Sequence, residues 1–399
     1  MKAPHGWEST LLHRVAEVRS GLSKNSKREG PTVKKPYLRV ANVQDGFLDL
    51  SDIKEIDVPA NQVARFTLKP GDILLVEGNG NPENLGRGCI WNGQIPDCVH
   101  QNHIFSIRIL PNSQMLPEFL ALQLRSDHGR NYLLSCAKGS TGLSTLNSAQ
   151  LREFPLFSPG AKEQRAIAAT IAHWDTAIET AERLIAAKER HYTHELSRLI
   201  SRGQHPRTHV GTFACEVSER NSGSCCTRVL SVTNSRGFVL PEEQFERRVA
   251  SDDLSNYKIV RRGQYAYNPS RINVGSIARL DGWDDGVLSP MYVVFRLDEA
   301  KVDSDYFLHW LNSHEARQRI KNSAQGSVRE TVSFSEFAAI TIPLPKINTQ
   351  TAIARYLNAL RQEIDLLGQS VAALKTQKRG LMQKLLTGQW RLPIQEEAN

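Results

Sequence analysis

Two long segments of the chain carry apolar residues at alternating steps of four and three positions. The first set is Ile167, Ile171, Trp174, Ile178, Ala181, Ile185, Tyr192, Leu196 and Leu199. The second set is Ile353, Leu357, Leu360, Ile364, Leu367, Val371, Leu374, Leu381 and Leu385. This is the coiled-coil period, so the pattern predicts two long helices. Lys188 and Lys378 interrupt the seams once each, and Gly203 and Gly388 lie where a helix stop favours glycine.

Each narrow apolar seam predicts a packing partner, because its leucines would otherwise face water. The simplest partner is the other seam, in an antiparallel coiled coil within one chain. Packing of each helix on its own globular part, or pairing between two copies of the chain, are the alternatives.

An internal repeat organises the rest of the chain. Residues 164–167 read Gln-Arg-Ala-Ile and residues 350–353 read Gln-Thr-Ala-Ile, at an offset of 350 − 164, or 186, residues. A strand-like run containing proline precedes each motif, at residues 154–159 and 340–345. The order is therefore globular part, helix, globular part, helix.

The globular parts combine strand and helix patterns. Alternation predicts strands at Ile104–Ile109 and Met291–Leu297, and amphipathic spacing predicts short helices at Pro117–Ser126 and Asp305–Ser313. We predict a mixed α+β fold with two similar α/β domains, separated by two long helices that form an antiparallel coiled coil with pseudo-twofold symmetry. The predicted domains are residues 1–155 and 205–343, the helical regions are residues 156–204 and 344–392, and a tail spans residues 393–399.

The net charge of the chain indicates an anionic partner, and the rest of its composition is that of an ordinary globular protein. The 399 residues carry a formal net charge of +8, without a concentrated basic arm. None of the six cysteines forms a Cys-x-x-Cys pair, so neither a disulfide framework nor a zinc pattern is indicated. With no candidate membrane span and no signal-peptide pattern, we expect a cytoplasmic protein.

Catalytic patterns are missing from the sequence. Residues 78–86 are rich in glycine but lack the spacing and following helix of a dinucleotide loop. Asn268-Pro269-Ser270-Arg271 lacks the second proline and the aromatic residue of an amino-methyltransferase motif. The histidine pairs His100/His103 and His191/His194 lack a third metal ligand. We therefore predict no catalytic residue, no metal site and no cofactor in this chain.

The positive signal is a set of loops rich in Arg, Asn, Gln, Ser and Lys, whose side chains contact base edges and phosphates. In the first domain the predicted DNA-binding residues are Lys27, Arg28, Asn79, Asn81, Arg87, Asn102, His103, Lys138 and Ser140. In the second domain they are Asn268, Arg271, Asn273, Ser327 and Arg329. Ordinary surface loops have a similar composition, but two similar, divergent domains held apart by helices favour the reading of two different half-sites.

The order of several motifs resembles the specificity subunit of type I restriction–modification systems. In the first half these motifs are Gly6-Trp7-Glu8, Pro70-Gly71-Asp72-Ile73-Leu74, Gly139-Ser140-Thr141-Gly142-Leu143 and Lys162-Glu163-Gln164-Arg165-Ala166-Ile167. In the second half they are Tyr267-Asn268-Pro269-Ser270-Arg271, Gly326-Ser327-Val328-Arg329 and Leu385-Leu386-Thr387-Gly388. The resemblance covers essentially the whole chain. One departure is that Thr349 stands before Gln350, where the first repeat has Glu163.

The resemblance implies a non-catalytic subunit that recognises a bipartite, asymmetric target in double-stranded DNA. It implies two modification subunits that use S-adenosylmethionine to methylate adenine, and restriction subunits that use ATP and Mg²⁺. The alternatives are the specificity subunit of a related type II system, a self-sufficient methyltransferase or nuclease with diverged motifs, and a coiled-coil scaffold without a nucleic-acid role.

Overall fold

The computed structural model describes residues 3–23, 30–79, 86–140, 143–241, 253–324 and 331–393. The side chains of residues 79, 138–140, 143–145 and 324 also lie outside the description. The chain forms two compact units. Unit 1 is Met1–Thr180 with Val371–Asn399, and unit 2 is Ala181–Ser370. Both boundaries fall inside the long helices, and the domain limits expected from the sequence remain predictions.

The α-helical residues that the structure describes lie in two long helices and several short ones. In the described ranges the helices are α1 (Leu12–Val15), α2 (Val63–Phe66), α3 (Pro117–Arg125), α4 (Asp127–Cys136), α5 (Ser148–Arg152), α6 (Ala161–Leu196), α7 (Ser304–Asn312), α8 (His314–Ala324), α9 (Phe334–Ala338) and α10 (Ile347–Leu386). A π-helical turn, Ser197–Ser201, continues α6. The long helices and the two predicted short ones are confirmed, with ends displaced by a few residues. Within the described ranges, no helix is both long enough and apolar enough to cross a membrane.

Unit 1 is built around an antiparallel sheet of four strands. Its strands are β1 (Glu8–Leu11), β2 (Ala16–Ser20), β3 (Thr32–Leu38), β4 (Lys54–Pro59), β5 (Ile73–Val76), β6 (Gly78–Asn79), β7 (Gly88–Ile90), β8 (Val99–His100), β9 (Ile104–Ile109), β10 (Lys138–Ser140), β11 (Leu143–Thr145) and β12 (Pro155–Ser158). The central sheet has the order β2-β9-β5-β7, and β1 pairs with β12 immediately before α6. The predicted strand at Ile104–Ile109 is confirmed as β9.

Unit 2 has the same arrangement. Its strands are β13 (Arg207–His209), β14 (Ala214–Val217), β15 (Ser231–Thr233), β16 (Gly237–Val239), β17 (Lys258–Arg261), β18 (Tyr265–Tyr267), β19 (Ile277–Arg279), β20 (Asp285–Leu288), β21 (Val293–Leu297) and β22 (Thr341–Pro343). The central sheet has the order β14-β21-β18-β19, and β13 pairs with β22 immediately before α10. The strand predicted from Met291 begins at Val293, because the chain turns at Ser289–Tyr292, where the Tyr292 N–H donates to the Ser289 carbonyl oxygen. The predicted internal repeat and mixed α+β class are confirmed.

The repeated glutamine has the same buried contacts in both units. Gln164 accepts a hydrogen bond from the Leu116 N–H at 2.9 Å and donates to the Pro159 carbonyl oxygen at 2.9 Å. Gln350 accepts from the Asp303 N–H at 2.9 Å and donates to the Pro345 carbonyl oxygen at 2.8 Å. Each glutamine therefore joins the start of a long helix to the segment before a short one.

The turn that opens the central strand is also repeated. Gly71 and Gly263 have φ angles of 89° and 82°, which glycine adopts without a Cβ clash. Asp72 accepts a hydrogen bond from the Lys69 N–H at 2.8 Å, and Gln264 accepts from the Arg261 N–H at 2.9 Å. The Pro-Gly-Asp motif of the first repeat is thus a turn that starts β5.

The seams of the two long helices pack together within each unit. In unit 1, Ile167 and Ile171 lie in one apolar core with Leu385, and the Lys378 ammonium pairs with the Asp175 carboxylate. The position on α10 falls as the position on α6 rises, so the two segments are antiparallel.

In unit 2 the pairing has the same direction. The Lys188 ammonium lies 2.8 Å from the Glu363 carboxylate, and the Arg361 guanidinium lies 5.8 Å from the Tyr192 ring centroid. Each lysine that interrupts a seam therefore pairs with an acid on the other helix. The predicted antiparallel pairing of the two helices within one chain is confirmed.

Unit 1 contains an ion pair at the position where the two repeats depart from each other. Arg391 donates to both carboxylate oxygens of Glu163, at 2.5 and 2.7 Å, and to the His5 carbonyl oxygen at 3.0 Å. The Glu163 side chain is only 4% exposed. This contact, which we call the terminal clasp, joins the start of α6 to residues near both ends of the chain.

Candidate nucleic-acid interface

Strand pairing brings the predicted loops of unit 2 to one end of its sheet. Tyr267, the last residue of β18, pairs with Val293, the first residue of β21. The loop Asn268–Val274 and the segment Ser289–Met291 therefore leave the sheet at the same end, which we call the loop end. The Val332 N–H, three residues after the predicted contact Arg329, donates to the Pro269 carbonyl oxygen at 3.1 Å.

The side chains at the loop end of unit 2 differ in how they are held. Asn268 accepts a hydrogen bond from the Ser270 N–H at 3.0 Å, which shapes the turn. Arg271 is exposed and has no side-chain partner among the described residues. Asn273 is half-buried beside Val274, whose side chain is 60% exposed, while Ile272 is buried beneath them. A free guanidinium, an amide and an exposed apolar group suit guanine, adenine and thymine-methyl contacts respectively.

Unit 1 has a corresponding loop end. Val76, the last residue of β5, pairs with Ile104, the first residue of β9. The loops that follow Val76 and precede Ile104 therefore meet at this end of the sheet. The Leu146 N–H, just after β11, donates to the Glu77 carbonyl oxygen at 2.7 Å, so the hairpin of β10 and β11 joins the same group.

His103 is held at the loop end of unit 1 with one face open. Its Nδ1 lies 3.1 Å from the Glu77 carboxylate, and its side chain is 56% exposed. The neighbouring His100 is buried, and its Nδ1–H donates to the Ile104 carbonyl oxygen at 2.9 Å. Burial lowers the pKa of His100 to about 4, so this imidazole is neutral at neutral pH, and its hydrogen bond to Ile104 fixes the start of β9.

Two further predicted residues are held by the fold around them. The half-buried Arg87 donates from Nη2 to the Val40 carbonyl oxygen at 3.0 Å, which holds this side chain just before β7. The Asn102 N–H donates to the Leu22 carbonyl oxygen at 3.1 Å. The Val76 N–H donates to the Arg87 carbonyl oxygen at 2.9 Å, and Asn102 lies two residues before β9, so both residues are near the loop end. Base recognition by either side chain remains a prediction.

The other predicted residues lie partly or wholly outside the description. Lys27, Arg28, Asn81, Ser327 and Arg329 lie outside the described residues. For Asn79, Lys138 and Ser140 only the backbone is described, in β6 and β10. Asn79 pairs with Ser144, which places it in the same small sheet as Lys138 and Ser140.

Sequence reasoning did not single out Arg317, which lies close to the loop end of unit 2. It lines a groove of about 720 Å³ together with Asn273 and Val274. Arg317 is on the helix α8, whereas the DNA-binding residues predicted from the sequence are on loops. The described residues include no group of three His, Cys, Asp or Glu side chains placed to hold a metal ion.

Two units of one topology, each gathering divergent polar loops at one end of a sheet, define a two-part recognition protein. The chain belongs to the type I restriction modification DNA specificity family, whose model matches residues 4–189 and 270–376. It is a DNA sequence-specificity subunit, and catalysis is not a function of this class.

Curated relatives carry the same designation. The putative type I restriction enzyme MjaX specificity subunit of Methanocaldococcus jannaschii is 22% identical over 98% of this chain and 95% of its own length. The type I restriction enzyme EcoKI specificity subunit of Escherichia coli K12 is 27% identical, over 43% of this chain and 36% of its own length.

Solved structures share the fold. A chain from a structural study of type I R-M complex assembly aligns with a TM-score of 0.62 at 15% identity, covering 98% of this chain and 100% of that one. The S subunit from M. genitalium aligns with a TM-score of 0.54 at 14% identity, covering 96% and 98%. The HsdS subunit from Thermoanaerobacter tengcongensis aligns with a TM-score of 0.50 at 17% identity, covering 98% and 99%.

Proposed function

We propose that this chain recognises a bipartite, asymmetric target in double-stranded DNA, with one half-site read by each unit. The observation that carries the proposal is the repeated sheet whose loops leave at one end in both units. The scaffold contacts of Gln164 and Gln350 are the same, while the loop residues differ, as two different half-sites would require.

The recognition domains we propose are residues 1–155 and 205–343, joined to the helical regions 156–204 and 344–392. Base contacts come from the residues at the loop ends, with Arg271 the best placed of the described residues. Lys27, Arg28, Asn81, Ser327 and Arg329 are proposed from their sequence alone.

The same proposal assigns the chemistry to other subunits. Two modification subunits supply adenine methylation with S-adenosylmethionine, and restriction subunits supply ATP- and Mg²⁺-dependent cleavage. This chain directs both to the target in the cytoplasm. It supplies base and phosphate contacts, and needs no cofactor for them.

Methylation mapping tests the proposal directly. DNA from a host that expresses the modification subunits is sequenced for modified adenine with and without this chain. We expect one bipartite motif that depends on the chain. A motif that persists without the chain would overturn the proposal, as would methylation of DNA by the purified chain alone.

A single substitution then tests the assignment of Arg271. We expect Arg271→Ala to relax one base position in one half-site, at a cost of about 1–3 kcal/mol in binding the original target. The matched control is Arg355→Ala, since Arg355 is also exposed and has no side-chain partner in the described part of the chain. Equal weakening of every DNA sequence by Arg271→Ala would make Arg271 a phosphate contact and the base assignment wrong.

A further inference from the structure

Several exposed arginines of unit 2 have no side-chain partner among the described residues, and three of them line one groove. They are Arg190 on α6, Arg202 just after the π-helical turn, and Arg317 on α8. Other arginines of this unit pair with acids, as Arg207 does with Glu315. An unpaired guanidinium remains available for bidentate contacts with an anion.

The three arginines line one groove of about 1100 Å³, which we call the basic groove. His194 and His314 also line it, and Glu189 is the one carboxylate among the described lining residues. Arg361 lines it as well, so four arginines face one carboxylate and the described lining has an excess of positive charge.

The floor of the basic groove is polar and fixed by hydrogen bonds. The Tyr192 hydroxyl lies 2.9 Å from Nδ1 of His309, whose Nε2 lies 2.8 Å from the Asn358 amide oxygen. The Asn358 amide nitrogen donates to Asp305 at 2.7 Å. Burial lowers the pKa of His309, so this imidazole is neutral at neutral pH.

The basic groove is continuous with the loop end of unit 2. The groove that contains Asn273 and Val274 shares Leu308, Asn312 and Arg317 with it. Arg317 therefore lies where the two grooves meet, between the recognition loop and Arg202 and Arg190.

We propose that the basic groove binds the phosphate backbone of duplex DNA beside the half-site that unit 2 reads. This inference rests on the proposed function. Residues 205–343 contain 17 Lys and Arg against 17 Asp and Glu, so any attraction for DNA must come from local patches. Arginine contacts to phosphates position a protein on DNA without reading its sequence.

The charge of the lining is what favours DNA. Four arginines, Arg190, Arg202, Arg317 and Arg361, stand against the single carboxylate of Glu189 among the described lining residues, and the phosphate backbone is the anionic part of the proposed ligand.

Salt dependence separates phosphate contacts from base contacts. The test variant is Arg190→Gln/Arg202→Gln/Arg317→Gln, in the full chain assembled with its modification subunits. Each phosphate contact contributes about 0.9 to the slope of log affinity against log salt, so the variant should be shallower by about 2.7. Between about 50 and 200 mM salt its deficit relative to the parent should shrink about 40-fold. The deficit should be equal for target and random duplexes.

The matched control removes the same charge elsewhere on unit 2. Lys321→Gln/Lys346→Gln/Arg355→Gln changes three exposed residues that have no side-chain partner among the described residues and do not line either groove. We expect its salt slope to stay close to that of the parent. Thermal melting of both variants is measured alongside, to show that each is folded.

The outcomes are distinguishable. If the parent shows no preference for the target, the proposed function fails. If the parent prefers the target but the two variants have equal slopes, only the basic groove proposal fails. Loss of discrimination with an unchanged slope would make the arginines base readers. Loss of the modification subunits from the complex, with DNA binding otherwise intact, would make the groove a protein site. Each of these last two results also overturns the proposal.

Discussion

The terminal clasp allows a quantitative prediction about the stability of unit 1. Replacing Arg391 by methionine leaves the Glu163 carboxylate, which is 4% exposed, without its two hydrogen bonds. Stranding one charge of a buried pair costs about 3–5 kcal/mol. Because Arg391 itself is 47% exposed, solvent already weakens the pair, and we expect a loss of about 2 kcal/mol.

Native-state hydrogen exchange measures this loss where it occurs. A change of about 2 kcal/mol corresponds to about a 30-fold change in an opening equilibrium. The amides of β1, which pairs with β12 next to the clasp, should therefore exchange about 30-fold faster in Arg391→Met. The amides of β13, the equivalent strand in unit 2, should be unchanged.

Two further variants test whether the loss comes from the buried charge of Glu163. Arg379 pairs with Asp127 at 3.1 Å but is 74% exposed, so Arg379→Met should change β1 exchange less than about threefold. In a Glu163→Gln background, Arg391→Met should cost much less, because no charge is stranded. If Arg391→Met changes β1 exchange as little as Arg379→Met does, the terminal clasp does not stabilise the packing of β1, and the prediction is wrong.

Three other predictions follow from buried groups and from the repeat. The pKa of His100 in the folded protein, about 4, lies below the usual 6.5, so stability should fall as pH drops through that interval, by up to about 3 kcal/mol; denaturant unfolding of His100→Leu should lack this dependence. Gln164→Leu and Gln350→Leu should each cost about 2–4 kcal/mol in denaturant unfolding by stranding buried backbone groups, and a cost below 1 kcal/mol would contradict this. In a circular permutant, residue 399 is linked to residue 1 and new ends are made within residues 202–206. Because the segment after α6 and the segment after α10 occupy equivalent places in the repeat, this chain should fold with a circular dichroism spectrum like that of the parent. An unfolded spectrum would contradict that equivalence.

The regular parts of this structure could be predicted because they follow a local period. The heptad seams of α6 and α10 are the buried and half-buried stripe of each helix, because a stripe of apolar residues has few alternatives to packing. The gathering of the loops at one end of each sheet follows from antiparallel pairing, once Tyr267 and Val293 are known to be partners.

Individual side-chain roles could not be predicted in the same way. Asn268 shapes a turn and Arg87 anchors a loop, yet in sequence both resemble Arg271, which is unpaired among the described residues. Hydrogen-bond partners of this kind depend on tertiary geometry, since Arg87 reaches Val40, 47 residues away. Arg317 was missed because a polar residue on an amphipathic helix is usually only solvated.

The terminal clasp lies at the position where the two helix motifs differ, since Glu163 precedes Gln164 but Thr349 precedes Gln350. In unit 2 the chain passes from α6 through residues 202–206 directly into β13, so a covalent backbone forms the joint. In unit 1 the equivalent joint brings the end of α10 against the segment before β1. Arg391, bonded to the Glu163 carboxylate and the His5 carbonyl oxygen, holds it together instead. At the covalent joint of unit 2 the same position of the helix motif is Thr349, which carries no charge. The described contacts of the Glu163 carboxylate therefore lie at the joint of unit 1 and not on a recognition loop.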